Sequence, residues 1–265
     1  MSGAKYLLAG FLLILGVLIA KPAYAQPYAD RVILISVGGL NYENYSGSNL
    51  PHLKQLAYEG VTTEKTLAVR ADTLESAEAS LLTGALPDDH KYISAQDKLE
   101  TASFLDSLKK YGKTFLVVDG SGGKLAAFNY GEKEYFSLEA DASSKTVLET
   151  AFEQMNKYHP FFVYVYINDI HLALMKQDQK AYYASLQNFD LNLGSFIKKL
   201  KDFGYYDRSL LIITSARSSS SSNLVPFLMR GPQCKTNTTI KSSLILDVIP
   251  TLSLFFNISS PPEAI

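Results

Sequence analysis

RVILISVGGL, residues 31–40, decides the fold. Val32 to Val37 is an apolar run of strand length, interrupted only by Ser36, and it stops at Gly38-Gly39. A run that is apolar at odd and even positions alike belongs to a strand buried on both faces, as in a parallel sheet covered by helices. Further runs rich in Val, Ile, Leu and Phe have the same character: Thr114 to Val118, Phe161 to Ile167, Leu210 to Thr214 and Val225 to Met229. The segments between them have helical period. In the clearest one, Tyr182, Leu186, Phe189, Leu193, Phe196, Leu200 and Phe203 are spaced alternately by four and three residues, which lays one apolar stripe against a sheet. Lys198, Lys199 and Lys201 favour the negative end of that helix, and Gly204 supplies a left-handed cap. Other helices are predicted over Pro51 to Tyr58, Ala77 to Leu82, Thr101 to Tyr111, Ser144 to Lys157 and Ser243 to Phe255. Strand and helix therefore alternate, which predicts an α/β fold: three layers, doubly wound, around a mainly parallel sheet. Ligands of such sheets gather outside the carboxyl ends of the strands, so chemistry is expected after Val37, Ile167 and Thr214.

Upstream of this core, Lys5, the apolar stretch Tyr6 to Ala20 and the small-x-small triplet Ala23-Tyr24-Ala25 read as a signal peptide over residues 1–25. The apolar stretch is shorter than the ~20 residues of a typical membrane span. The expectation is an exported chain, secreted or periplasmic, with no stable span after cleavage. The alternative is an uncleaved anchor. Residues 26–265 then form one domain, large enough to bury its own core. Cys234 is the single cysteine, so neither a disulfide framework nor a multi-cysteine metal site is expected. Lys and Arg number 25 against 26 Asp and Glu, without segregation, which argues against nucleic acid as a partner. A small anion or a protein remains. Ser218 to Ser222 reads as a loop directly after a strand.

The order of landmarks from Arg31 almost to the C-terminus resembles the alkaline phosphatase, type I phosphodiesterase and sulfatase superfamily. RVILISVGGL resembles its first strand and turn. NLPHLKQLAYEG (49–60) resembles the following helix, and ASLLTGALPDDH (79–90) the helix behind the nucleophile. FFVYVYIND (161–169) resembles the strand that reaches a metal-binding aspartate. LQNFDLNLGSFIKKLKDFGYYDRSLLIITS (186–215) resembles the long helix with its next strand, and VPFLMRGP (225–232) with LILDVIPTL (244–252) the closing strand and helix. The likeness implies an alkaline phosphatase-like core without a large cap. In active members it implies two divalent ions, such as zinc, that polarise a phosphoryl or sulfuryl group.

Carried over position by position, the resemblance leaves that metal site degenerate. Gly38 stands where an Asp precedes Gly39, and Leu74, ten residues before Gly84, stands at the Thr or Ser nucleophile. Asp169 keeps its place, but Ala173 replaces the His that follows it. Ala216-Arg217 replaces an Asp-His pair after Thr214-Ser215. A lone carboxylate is too few ligands for zinc, which takes three or four from the protein. No cofactor and no catalytic residue are therefore expected. The cleft is read as a possible anion site using Arg217, Thr73 and His171, with Arg217 free to hold an anion or to pair with Asp169. The alternative is an active phosphatase or phosphodiesterase with Thr73 as nucleophile and one or two ions on Asp169, helped by His171, Glu75 or Glu78. Were residues 169–171 extended, Asp169 and His171 would point the same way. Asp72, Glu75 and Glu78 could form an acidic cluster, although carboxylates at a helix start are explained by the helix dipole. DGSGG (119–123) lacks a phosphate-loop lysine and reads as a turn.

Overall fold

The computed structural model describes residues 29–218 and 222–265. The signal segment predicted over 1–25, and Ser219 to Ser221 of the serine tract, lie outside them. In chain order the strands are β1 Arg31–Val37, β2 Val61–Leu67, β3 Phe115–Asp119, β4 Tyr135–Ser137, β5 Phe162–Ile167, β6 Ser209–Thr214, β7 Leu224–Val225, β8 Phe227–Arg230 and β9 Thr238–Leu244. The helices are α1 Tyr42–Gly47, α2 Pro51–Glu59, α3 Leu74–Thr83, α4 Pro87–His90, α5 Phe104–Lys110, α6 Ser144–Tyr158, α7 Asp169–Met175, α8 Gln179–Asp202 and α9 Val248–Phe256.

The strands form one sheet in the order β4-β3-β5-β1-β6-β8-β2-β7, with β9 beside β2. From β4 to β6 all pairs are parallel, and β1 lies in the middle, in register Ser36 to Tyr166 on β5 and Ser36 to Thr214 on β6. Every residue of β1, β3, β5 and β6 is buried, as expected of a sheet covered on both faces. Alternation along β1 divides the core: Ile33, Ile35 and Val37 pack with the stripe of α8, whereas Val32 and Leu34 pack with α3, α5 and α9. Helices therefore lie on both faces, and the architecture is the three-layer α/β sheet that the apolar runs predict.

Several elements differ from the sequence reading. Val225 to Met229 is not one strand: Pro226 has no N–H and breaks it into β7 and β8, and β8 runs antiparallel to β6. β2, β4 and β9 have no apolar run, because β2 and β9 carry polar side chains on exposed faces and β4 is three residues long. The helix predicted from Ser243 begins only at Val248, after the strand end at Leu244 and a short turn at Ile245–Asp247. The helix predicted from Thr101 begins at Phe104, where Ser103 and Asp106 form a reciprocal capping box. On α8, Tyr182 to Leu200 are buried but Phe203 is largely exposed beyond the last turn.

One cap is supplied across the molecule. The residue before α2 is Leu50, which is fully buried and offers no side-chain acceptor. Asp190 of α8 takes that role, accepting from His52 N at 3.1 Å and Leu53 N at 2.9 Å. Asp190→Ala leaves the buried Leu53 N–H and the partly buried His52 N–H without this acceptor and is expected to cost about 2–3 kcal/mol, the scale of lost charge-assisted hydrogen bonds. Urea unfolding would show it as a lowered midpoint with unchanged slope.

Candidate functional site

A cavity of about 290 Å³ lies at the carboxyl ends of β1, β5 and β6, where the sheet predicts a ligand. Gly38 and Gly39 come to it from the turn after β1, Leu74 and Glu78 from α3, Tyr166 from β5, His171, Leu174 and Met175 from α7, and Ser215, Arg217 and Ser218 from the loop after β6. Gly38, Leu74, Glu78 and Arg217, all singled out in the sequence, thus converge with His171. Thr73, Asp169, Ala173 and Ala216 do not line the cavity. Ala173 and Ala216 are buried in the two core clusters. Thr73 is the N-cap of α3: its hydroxyl accepts from Ser76 N at 3.2 Å and donates to Ile93 O at 2.7 Å, while the neighbouring Leu74 faces the cavity.

Asp169 is turned away as well. Its carboxylate accepts from Ser144 N at 2.7 Å, at the first turn of α6, and from Ile170 N at 2.9 Å. Burial raises its pKa, against the lowering effect of the Ser144 hydrogen bonds. The extended reading of residues 169–171 is corrected: they begin α7, where positions two apart point in different directions, so His171 faces the cavity and Asp169 does not. Pairing of Arg217 with Asp169 is also not realised, since the carboxylate is bound to backbone donors and the arginine side of the loop is exposed. His171 is half-buried, and desolvation first, then the charges of Arg217 and Lys124, hold its pKa below the ordinary value.

The glycine pair is required by packing. A Cβ on Gly38 would overlap Tyr166 Oη and lie 3.1 Å from His171 Cβ. Gly39 has φ +82, and its Cβ would meet the backbone of His171 at 3.0 Å. The space beside residue 38 is thus filled by the Tyr166 hydroxyl. A two-metal cage of the kind implied by the resemblance needs carboxylates and imidazoles converging on one point. The donor set does not fit it: position 38 has no room for a side chain, Leu74 and Ala216 have no donor atom, and Asp169 is spent on Ser144. Among the described residues no group of three or more His, Cys, Asp and Glu side chains is disposed to hold a metal ion.

In the sequence Glu78 figures only as a helper in the active-enzyme alternative and otherwise as a helix-dipole carboxylate, yet it is the most unusual group in the cavity wall. Glu78 lies in the second turn of α3 and is 2 % exposed, so the helix-dipole explanation given for it and Glu75 holds only for Glu75, in the first turn. Its carboxylate accepts from Ser36 Oγ at 2.9 Å and from the Tyr164 hydroxyl. Desolvation raises its pKa to about 7, against hydrogen bonds from Tyr164 and Ser36, with Asp119 adding to the rise. A signal was present: Leu74, Leu81 and Leu82 lie three or four residues from Glu78 on the same helix face, and Tyr164 and Tyr166 share a strand face. The acidic cluster with Asp72 does not form, since Asp72 is exposed while Glu75 lies 4.0 Å from Lys124 Nζ. DGSGG is a turn as read, with Asp119 accepting from Ser121 N at 2.8 Å and Leu125 N at 3.2 Å.

The sheet order, with its cleft beyond β1, β5 and β6, defines an alkaline phosphatase-like α/β fold. No family model matches the chain, and no curated protein matches it in sequence. Solved structures do. Murine ectonucleotide pyrophosphatase / phosphodiesterase 5 superposes with a TM-score of 0.74 at 12 % identity, over 88 % of this chain and 96 % of that one. A protein in the alkaline phosphatase superfamily from Vibrio parahaemolyticus gives 0.71 at 18 % identity, over 92 % and 70 %. The lipoteichoic acid synthase LtaP from Listeria monocytogenes gives 0.72 at 16 % identity, over 88 % and 73 %. At such identities the likeness is one of fold. No helix among the described residues is long and apolar enough to cross a membrane.

Proposed function

We propose that this chain is an exported binding protein on a phosphatase-like scaffold, which holds a small anion in the cleft beside Arg217 and His171 and does not carry out metal-dependent ester hydrolysis. The observation that carries the reading is the Tyr166 hydroxyl in the space beside Gly38: where the resemblance requires a metal-binding carboxylate, a buried tyrosine stands against a residue without a side chain. Leu74 at the nucleophile's place supports it, because an alkyl side chain cannot attack phosphorus. Arg217 supplies a planar, permanently charged donor at the cavity wall, suited to an oxyanion. Ser215 and Ser218 lie beside it in the same wall. Export rests on the N-terminal segment, and the secreted protein is expected to begin at Gln26 when its N-terminus is sequenced.

Calorimetry with inorganic phosphate is expected to show binding that Arg217→Ala weakens by about tenfold to a hundredfold, the range of a charge-assisted hydrogen bond. Metal analysis of the purified protein is expected to find no stoichiometric zinc or manganese, and para-nitrophenyl phosphate or its diester is expected to remain intact with any divalent ion. Stoichiometric metal, or turnover lost in both Thr73→Ala and Asp169→Ala, would replace this reading with an active phosphoric ester hydrolase.

A further inference from the structure

Glu78 has no part in an anion site built on Arg217 and His171, yet it borders the same cavity. A carboxylate facing a bound oxyanion repels it unless a proton lies between them. The titratable and charged groups around Glu78 come from several elements. Tyr164 on β5 and Asp119 at the end of β3 act on Glu78 directly, Tyr166 on β5, His171 on α7 and Arg217 on the loop after β6 line the same cavity, and Glu75 lies three residues before it on its own helix. Lys124, beside Glu75, adds a more distant positive charge. Ser36 and Tyr164 occupy one lone pair on each carboxylate oxygen, so the carboxyl group is held in place and each oxygen retains a further site for a hydrogen bond or a proton.

Resting on the anion-binding reading, we propose that the cleft binds its anion together with one proton shared with Glu78, and so prefers oxyanions that carry or readily take up a proton over sulfate and sulfate esters. Hydrogen phosphate has a P–OH group that can donate to an ionised Glu78. Phosphate monoesters and phosphonates accept such a proton near neutral pH. Sulfate has no proton to offer, and the proton must then sit on Glu78 itself. Burial supports this arrangement by bringing the Glu78 carboxyl into the neutral range, where both forms are accessible. Linkage makes the effect reciprocal, since an anion that binds only the protonated cleft must draw a proton from solution.

The test is calorimetry of the full chain with inorganic phosphate and inorganic sulfate, from about pH 6 to about pH 8, in buffers of different ionisation enthalpy. Above the Glu78 range the sulfate affinity is expected to fall about tenfold per pH unit with uptake approaching one proton, while phosphate affinity stays nearly level. Glu78→Gln is expected to abolish the uptake and to level the two pH profiles. Parallel profiles for the two anions in the unaltered protein, or uptake that persists in Glu78→Gln, would sink the proposal. The comparison of the two anions needs no variant, so it decides the matter even if Glu78→Gln does not fold. Binding of both anions without proton linkage overturns this inference alone, whereas no binding of either overturns the anion-binding reading as well.

Discussion

Glu78→Gln is expected to stabilise the protein by about 3 kcal/mol at pH above about 7 and to leave it nearly unchanged below about pH 4.5. A carboxyl whose folded-state pKa lies above its unfolded value binds its proton more tightly in the folded chain. Stability from that proton is fully present below the unfolded pKa of 4.5 and is lost as pH rises to about 7. Beyond that point the folded protein holds an ionised carboxylate in its core. Glutamine resembles the protonated acid in shape and hydrogen bonding and never ionises, so the gain grows through the same window and then levels off. Urea unfolding of both proteins at several pH values measures it directly. A constant difference between the two across that window would show that Glu78 titrates as an ordinary exposed glutamate.

Gly38→Asp, which restores the carboxylate implied by the resemblance, is expected to destabilise the protein by about 2–4 kcal/mol and to confer no zinc affinity. Its Cβ would overlap Tyr166 Oη and crowd His171, so a buried ring or the first turn of α7 must shift. The new carboxylate would also sit in the cavity without a cation to offset its desolvation. Tyr166→Phe removes the overlapping oxygen, and the double variant is expected to recover about 1 kcal/mol beyond additivity. Unfolding midpoints with and without zinc test both statements. Wild-type stability in Gly38→Asp would mean that Tyr166 is free to move, and a zinc-dependent rise in the midpoint would mean that the remaining donors suffice after all.

The fold was legible where burial left a mark on composition. β1, β3, β5 and β6 are apolar on both faces because helices cover both faces, and α8 shows its buried stripe from Tyr182 to Leu200. The edge of the sheet was not legible, because β2 and β9 carry Thr, Lys and Ser toward solvent and are held by neighbouring strands rather than by an apolar side. Within the site, Gly38, Leu74 and Arg217 were found by their places in an ordered set of landmarks. Glu78 reads there as an alternative metal helper or, more simply, as a helix-start carboxylate, and only the packing of β5 against α3 removes the simpler explanation.

By itself the chain's sequence determined a covered parallel sheet and the loops where its cleft would lie, because apolar periodicity and the ends of apolar runs are local properties. It also determined which side-chain atoms stand at each loop position. Tertiary structure decided where those atoms point. Asp169 serves the N-terminus of α6, Thr73 caps α3, Tyr166 fills the space beside Gly38, and Glu78 is enclosed with its hydrogen-bond partners. Apart from the local cap at Thr73, each of these depends on a contact between segments distant in the chain, and the energy of a buried carboxyl or hydroxyl is set by the partner and the solvent it meets after folding, not by its neighbours in sequence.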